Sequence, residues 1–220
     1  MTTEAIDEAV GRSRRADPVV GAAGGPAGNA RLTAWTGAVL FVLLAIEGVT
    51  ILNIRGLITW HLAIGIVLIP PVLLKTASTG WRILRYYTGS RPYRQAGPPP
   101  LPLRILGPLV VVASLAVLGS GTALIWIGPA ASRHPLLGST GRVIDAVAIH
   151  KATFVVWLGV TALHVLGRLA PALRLTLPAS ARVPGRLWRG GTILLTIATA
   201  AAAAIIVLGA VGPWQFQRGH

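Results

Sequence analysis

Five long apolar runs, separated by short polar and basic segments, constrain the fold of this chain more than any other feature. They cover about residues 32–53, 58–78, 105–127, 146–170 and 191–211. A helix of about twenty residues rises about 30 Å, enough to cross the hydrocarbon core of a bilayer. A soluble bundle would carry charged helix faces, whereas here the charges lie at the ends of the runs and between them. The sequence therefore predicts an all-α integral membrane bundle with five transmembrane helices.

The composition is that of a membrane protein, and most of its positive charge lies beside the apolar runs. Of the 220 residues 53% are hydrophobic, only six are acidic, and the formal net charge is +14. Most basic residues flank the apolar runs, a distribution that follows the positive-inside rule rather than the basic face of a nucleic-acid-binding protein. Membrane lipid is therefore an expected partner, and nucleic acid is not.

The basic clusters also predict an orientation. They place the N-terminus and the connectors around 79–104 and 171–190 in the cytoplasm, and the 54–57 turn, the 128–145 loop and the C-terminus outside an inner (plasma) membrane. The predicted organisation is a disordered cytoplasmic tail (1–31), a four-helix membrane core (32–170), a basic cytoplasmic connector (171–190), a fifth transmembrane helix (191–211) and a short outer tail (212–220).

The chain has no cysteine, which excludes disulfides, thiolate-ligated iron–sulfur clusters and covalently attached c-type haem. It also lacks a phosphate-binding glycine loop, a nucleophile–base motif and a dinucleotide fingerprint, and its connectors are too short for a flavin domain. No catalytic residue is assigned. If the chain is redox-active, it needs a redox partner, either a protein or a quinone.

Histidines inside the apolar runs are the strongest functional signal. In the fourth run His150 and His164 are fourteen residues apart, which on a helix returns to within roughly 40° of the same direction and separates the rings by roughly 21 Å. In the second run His61 and Lys75 have the same spacing, although Lys75, which is followed by Trp81, Arg82 and Arg85, is equally expected to extend its side chain to the cytoplasmic headgroups. An ionisable group inside a span costs free energy unless it faces the bundle interior, so its presence there indicates a function. The predicted topology places His61 and His150 at similar outer depth, and Lys75 and His164 at similar inner depth.

Metal ligation is the simplest use of these imidazoles. His61 and His150 are predicted as the two axial ligands of a b-type haem. The inner site could hold haem ligated by His164 and Lys75, five-coordinate haem on His164, or none. The candidate metal ligands are His61, His150 and His164, and the candidate cofactor-binding residues add Lys75, Gly119 and Gly121.

Two further features of the runs leave alternatives open. Gly119 and Gly121 in the third run permit either close helix packing or room for a flat macrocycle. Glu47, the only acid within a run, could be protonated and hydrogen-bonded, a partner for a buried cation, or a step in a proton path.

The segment WHLAIG at the start of the second run, together with H-x13-H in the fourth, resembles the four-helix cytochrome b membrane proteins. That group includes cytochrome b561-like and ferric-reductase-like electron carriers and the membrane subunits of formate dehydrogenases and hydrogenases. The resemblance covers about residues 32–170 and implies two haems stacked across the membrane, with electrons passing between a quinol or reductant and an acceptor. It implies that His61 and His150 are outer ligands and His164 an inner one. Lys75 stands where the family pattern has a histidine, so one haem b or two is expected.

The alternative hypothesis is a non-redox membrane protein. In that case Glu47, His61, Lys75, His150 and His164 would form the polar interior of a small transporter, proton path or scaffold.

Overall fold

The structure is a computed structural model, and it describes residues 3, 6–7, 24–97, 101–139, 142–176, 183–209 and 211–215. Its long helices are α1 (Gly25–Leu52), α2 (Ile54–Tyr87), α4 (Leu101–Ser132), α5 (Ala146–Thr176) and α6 (Arg186–Leu208). Two short helices are α3 (Arg91–Gln95) and α7 (Gly212–Gln215). All five long helices are long and apolar enough to cross a membrane. The prediction of an all-α membrane bundle with five spans is confirmed, and the chain is a multi-pass membrane protein.

The helices extend beyond the predicted apolar runs. α1 begins at Gly25 inside the predicted tail, α2 continues to Tyr87, and α5 and α6 take in parts of the predicted connector 171–190. A helix satisfies its own backbone hydrogen bonds, so it can continue into the headgroup region after the apolar sequence ends. Most of the predicted tail 1–31, connector residues 177–182 and residues 216–220 of the outer tail lie outside the described residues.

The loop after α4 contains a small strand pair that the sequence did not predict. β1 (Leu137–Ser139) and β2 (Arg142–Ile144) run antiparallel, with Leu137 opposite Ile144. α4 is broken just before this loop at Gly128, whose φ of 77° lies in the left-handed region that favours glycine. That break coincides with the predicted end of the third run at Ile127.

Four of the long helices close into a ring. The backbone contacts run from α1 to α2, from α2 to α4, from α4 to α5 and from α5 back to α1. α2 and α5, the helices that carry the histidines, therefore lie diagonally opposite each other across the core. α6 packs mainly against α2, outside the ring. The bundle is a four-helix core plus one additional helix.

The bundle has two distinct ends. The end that contains Asn53, His61 and Val211 is called here the His61 end, and the end that contains Lys75 and Pro184 is the Lys75 end. At the His61 end α7 folds back over α2, where Val211 packs with Leu62 and Ile66 in the buried cluster.

The outer surface of the bundle is apolar. α5 has no fully buried residue among its thirty-one, and its exposed side chains include Val155, Val156, Leu163 and Leu166. Exposed tryptophans lie towards both ends of the spans, Trp60 and Trp126 at the His61 end and Trp81 and Trp188 at the Lys75 end. Tryptophan is enriched at the two interfaces of a bilayer. The helix faces that point away from the core therefore contact membrane lipid.

The packing of Val211, which immediately precedes α7, can be tested with Val211→Ala. Val211 is 1% exposed, so truncation leaves a cavity and is expected to cost about 1–2 kcal/mol of unfolding free energy. Thermal unfolding of the detergent-solubilised chain measures this. The matched control is Val156→Ala, at a position that is 61% exposed, where little change is expected. Equal effects of the two substitutions would contradict the packing described for α7.

Candidate functional site

The corner between α1 and α2 places His61 opposite an acid. Asn53 caps α2 by accepting a hydrogen bond from the backbone N–H of Gly56, so the chain reverses within a few residues. Residues at similar distances from this corner then face each other on the two helices. Nδ1 of His61 lies 2.8 Å from Oε1 of Glu47 and 3.1 Å from Oγ1 of Thr50.

This arrangement orients the His61 ring. The Thr50 hydroxyl is buried and donates to the backbone carbonyl of Glu47 (2.6 Å), so its lone pairs are available to Nδ1. In the tautomer that carries its hydrogen on Nδ1, His61 donates to Oε1 of Glu47, and the lone pair of the imidazole is then on Nε2. Hydrogen bonding of the second ring nitrogen to a carboxylate is how proteins usually orient a metal-binding histidine.

His150 is held in a similar way from α4. Its Nδ1 lies 3.0 Å from Oγ of Ser120, and the Ser120 hydroxyl donates to the carbonyl of Val117 (3.1 Å). Ser120 is therefore able to accept the Nδ1 hydrogen, which again leaves the Nε2 lone pair. Thr153 lies 3.2 Å from Ser120 and donates to the backbone carbonyl of His150.

Gly121 permits the close approach of α4 to the His150 ring. A Cβ atom at this position would lie 3.0 Å from Cε1 of His150. No atom lies within 4 Å of the corresponding point at Gly119, which instead lines an apolar groove of about 290 Å³ between α2 and α4. Of the two uses proposed for these glycines, Gly121 therefore serves the packing of His150.

The structure brings His61 and His150 together across the diagonal of the ring. Their ring centroids are 6.4 Å apart and their planes are inclined by 73°. Both side chains are half-buried. Two imidazoles whose Nδ1 atoms are already hydrogen-bonded thus meet at one level of the bundle, each on its own helix.

Lys75 and His164 lie together at the opposite end, but in a different arrangement. Nζ of Lys75 donates to the carbonyl of Thr33 on α1 (3.1 Å) and lies over Gly37, where a Cβ would be 2.8 Å away. Lys75 and Arg168 are both within electrostatic range of the His164 ring. Nδ1 of His164 is buried and has no hydrogen-bond partner among the described residues. His134 is exposed in the loop after α4.

The sequence did not identify the residues that hold the two rings. The sequence marks Glu47 as the only acid within an apolar run, but it does not identify the hydrogen-bond partner of Glu47. Counting residues outward from the tight turn at Asn53 would place Glu47 near His61, since Glu47 is six positions before that turn and His61 eight positions after it. Ser120 lies between Gly119 and Gly121, and no sequence pattern distinguishes its hydroxyl from the others on the same helix.

The donor set can be compared with the needs of different metals. Among the residues that the structure describes, no group of three or more His, Cys, Asp or Glu side chains could enclose a metal ion. A structural zinc site takes four such ligands, whereas haem iron needs only one or two axial ligands because the porphyrin supplies the others. Two neutral imidazoles with anchored Nδ1 atoms fit the second requirement.

Comparison of the chain with family models, with curated proteins and with solved structures finds no match.

The close contact at Gly121 gives a matched test. Gly121→Ala is expected to lower the thermal midpoint, because the new methyl group meets an imidazole fixed by Ser120, and overpacking of this kind typically costs about 1–3 kcal/mol. Gly119→Ala adds the same methyl group where nothing lies within 4 Å, and removal of a helical glycine should leave stability unchanged or slightly raised. If both variants keep the wild-type midpoint, the described packing of His150 is wrong.

Proposed function

We propose that the chain is a membrane electron-transfer protein that binds one b-type haem through His61 and His150. The observation that carries the proposal is the pair of imidazoles 6.4 Å apart between diagonal helices, each with its Nδ1 engaged elsewhere. Bis-histidine ligation between facing helices is a known way of holding haem in a helix bundle.

The distance between the rings supports this assignment. An imidazole nitrogen lies about 2 Å from the metal it binds, and the ring centre lies roughly 1 Å farther away. Two imidazoles on opposite sides of one metal therefore have centroids roughly 6 Å apart, close to the separation of His61 and His150. The angle of 73° between the rings is compatible with axial ligation, since the two axial ligands need not be coplanar.

The bound haem would supply one-electron chemistry, and the protein side chains would supply its environment. Glu47 and Thr50 fix the direction of His61, while Ser120 and Gly121 fix that of His150. A carboxylate hydrogen-bonded to Nδ1 also makes the imidazole a stronger electron donor. The apolar helices around the pair would lower the local dielectric constant and keep water away from a haem held there.

The Lys75 end does not have the same ligand geometry. Nζ of Lys75 is bonded to the Thr33 carbonyl and lies against Gly37, both on α1, and a lysine must lose a proton before it can ligate a metal. The proposal therefore places one haem in the chain, although the family resemblance implies two.

The proposed location is the plasma membrane, with the Lys75 end in the cytoplasm. Basic residues that flank the spans accumulate at that end, including Arg82, Arg85, Arg168 and Arg174. Arginine and lysine in short loops favour the cytoplasmic side. Because the sequence contains no motif for a second redox centre, electrons would reach or leave the haem through a partner protein or a quinone, and any enzymatic activity would belong to that complex.

The ligand assignment is tested by alanine variants of the full chain, purified after expression with added haem. We expect His61→Ala and His150→Ala each to abolish the reduced-minus-oxidised spectrum of the wild type. His164→Ala and the loop variant His134→Ala are expected to retain it. Absence of haem from the well-folded wild type would overturn the proposal and favour the non-redox alternative, in which the same polar residues line a transport or proton path.

Glu47 is proposed as a positioning residue, and two substitutions separate its charge from its hydrogen bond. Glu47→Gln keeps an oxygen that can accept from Nδ1 of His61, so haem binding should persist while the midpoint potential rises, because the imidazole donates less electron density to the iron. Glu47→Ala removes both functions and should weaken haem binding by about 10–100-fold. Potentiometric titration and haem-affinity measurements test the two parts. An unchanged potential in Glu47→Gln would refute the role of the charge.

A further inference from the structure

The Lys75 end contains a group of buried hydrogen-bond donors between α1, α2 and α5. Lys75 is half-buried, and its ammonium is bonded to one carbonyl, that of Thr33, at 3.1 Å. An ammonium has three N–H donors. On α5, Nδ1 of His164, whose ring is within electrostatic range of Lys75, and Oγ1 of Thr161 are buried without a hydrogen-bond partner among the described residues. Thr161 and His164 are three residues apart on α5 and so share one helix face.

The charges at this end have one sign. The groups that act electrostatically on His164 are Lys75 and Arg168, and Arg168 also acts on Lys75. Within the described part of the bundle, residues 24–215 with their gaps, the acids are Glu47 and Asp145. Glu47 pairs with His61, and Asp145 accepts from the N–H of Ala148 at the start of α5, so both lie at the His61 end.

A buried cation without a carboxylate is costly unless something else compensates it. The Lys75 side chain, the His164 ring and the Thr161 hydroxyl can all donate hydrogen bonds, so the complementary ligand is an anion rich in acceptor oxygens. The depth is also suitable. Lys75 is fourteen residues, or roughly 21 Å, from His61 along α2, which places it towards the opposite edge of a hydrocarbon core about 30 Å thick.

We infer that the Lys75 end binds the phosphate group of an acidic membrane phospholipid between α1, α2 and α5. Lys75 and His164 donate to the phosphate oxygens, and Arg168 adds positive charge beside them. Basic pockets between helices at the cytoplasmic end of membrane proteins are suited to anionic headgroups. This inference does not depend on the haem, which would lie at the other end of the bundle.

The surface next to these residues favours a lipid over a free phosphate ion. On the side of His164 that faces the bilayer centre, α5 exposes the apolar side chains of Leu163, Val156 and Val155. A phospholipid bound at the donor group could lay its acyl chains along this surface. An inorganic phosphate ion has no acyl chains that could contact this surface.

The test uses the full chain in nanodiscs of phosphatidylcholine, with or without phosphatidylglycerol, and records thermal unfolding. Phosphatidylglycerol is expected to raise the wild-type midpoint by roughly 5 °C through preferential binding to the folded state. Native mass spectrometry of the same protein released from the nanodiscs should show retained phosphatidylglycerol. Both effects should be lost in Lys75→Met and kept in Lys75→Arg.

The chain has one other lysine, the exposed Lys151 on α5, and Lys151→Met is the matched control. It removes the same charge and should behave as wild type. If Lys75→Met fails to fold, His164→Leu serves instead, because it removes the imidazole donor, and its stabilisation by phosphatidylglycerol should be smaller than that of the wild type. Equal stabilisation of Lys75→Met and wild type by phosphatidylglycerol, or none of the wild type, would overturn the inference. So would a Lys75-dependent shift of the same size with inorganic phosphate alone in phosphatidylcholine, since the ligand would then not be a lipid.

Discussion

Hydrogen bonding of polar side chains away from lipid is the constraint on which the rest of this structure depends. Placing a polar group in hydrocarbon without a hydrogen-bond partner costs roughly several kcal/mol of free energy. The bundle meets this requirement across helices, through Glu47 and His61, Ser120 and His150, and Ser114 and Trp157. Because lipid is as apolar as the core, such contacts and close packing, rather than the hydrophobic effect, determine how the helices associate.

The two ends of the bundle meet the constraint differently, and this difference separates their proposed functions. At the His61 end an acid and hydroxyl groups engage Nδ1 of each histidine, so two neutral imidazoles can present Nε2 to a metal. At the Lys75 end the charged groups that act on His164 are both cations, and Nδ1 of His164 and Oγ1 of Thr161 are buried without a partner among the described residues. The first arrangement suits the axial ligation of haem, and the second suits an anion. Lys75, the position fourteen residues after His61, thus gives that end a chemistry different from the end with two histidines.

The sequence predicted the five spans because twenty-residue apolar runs have few other uses. It predicted that His61 and His150 lie at one depth because the charge-based topology runs both helices in the same direction and each histidine lies near the start of its run. It did not predict which helices are neighbours around the ring, so the contacts of Ser120 and Gly121 with His150 were not foreseen. The partner of Glu47 required the register of the corner at Asn53. Helix ends beyond the hydrocarbon, such as Gly25 and Tyr87, carry no apolar signal.

Electron paramagnetic resonance of the oxidised wild-type protein, combined with haem quantitation on the same sample, tests the central claim most directly. Two axial imidazoles impose a strong ligand field, so the account predicts one haem per chain with a low-spin ferric signal typical of bis-histidine ligation. A high-spin signal would show that His61 and His150 do not both ligate the iron. A haem-free folded protein would contradict the account as a whole.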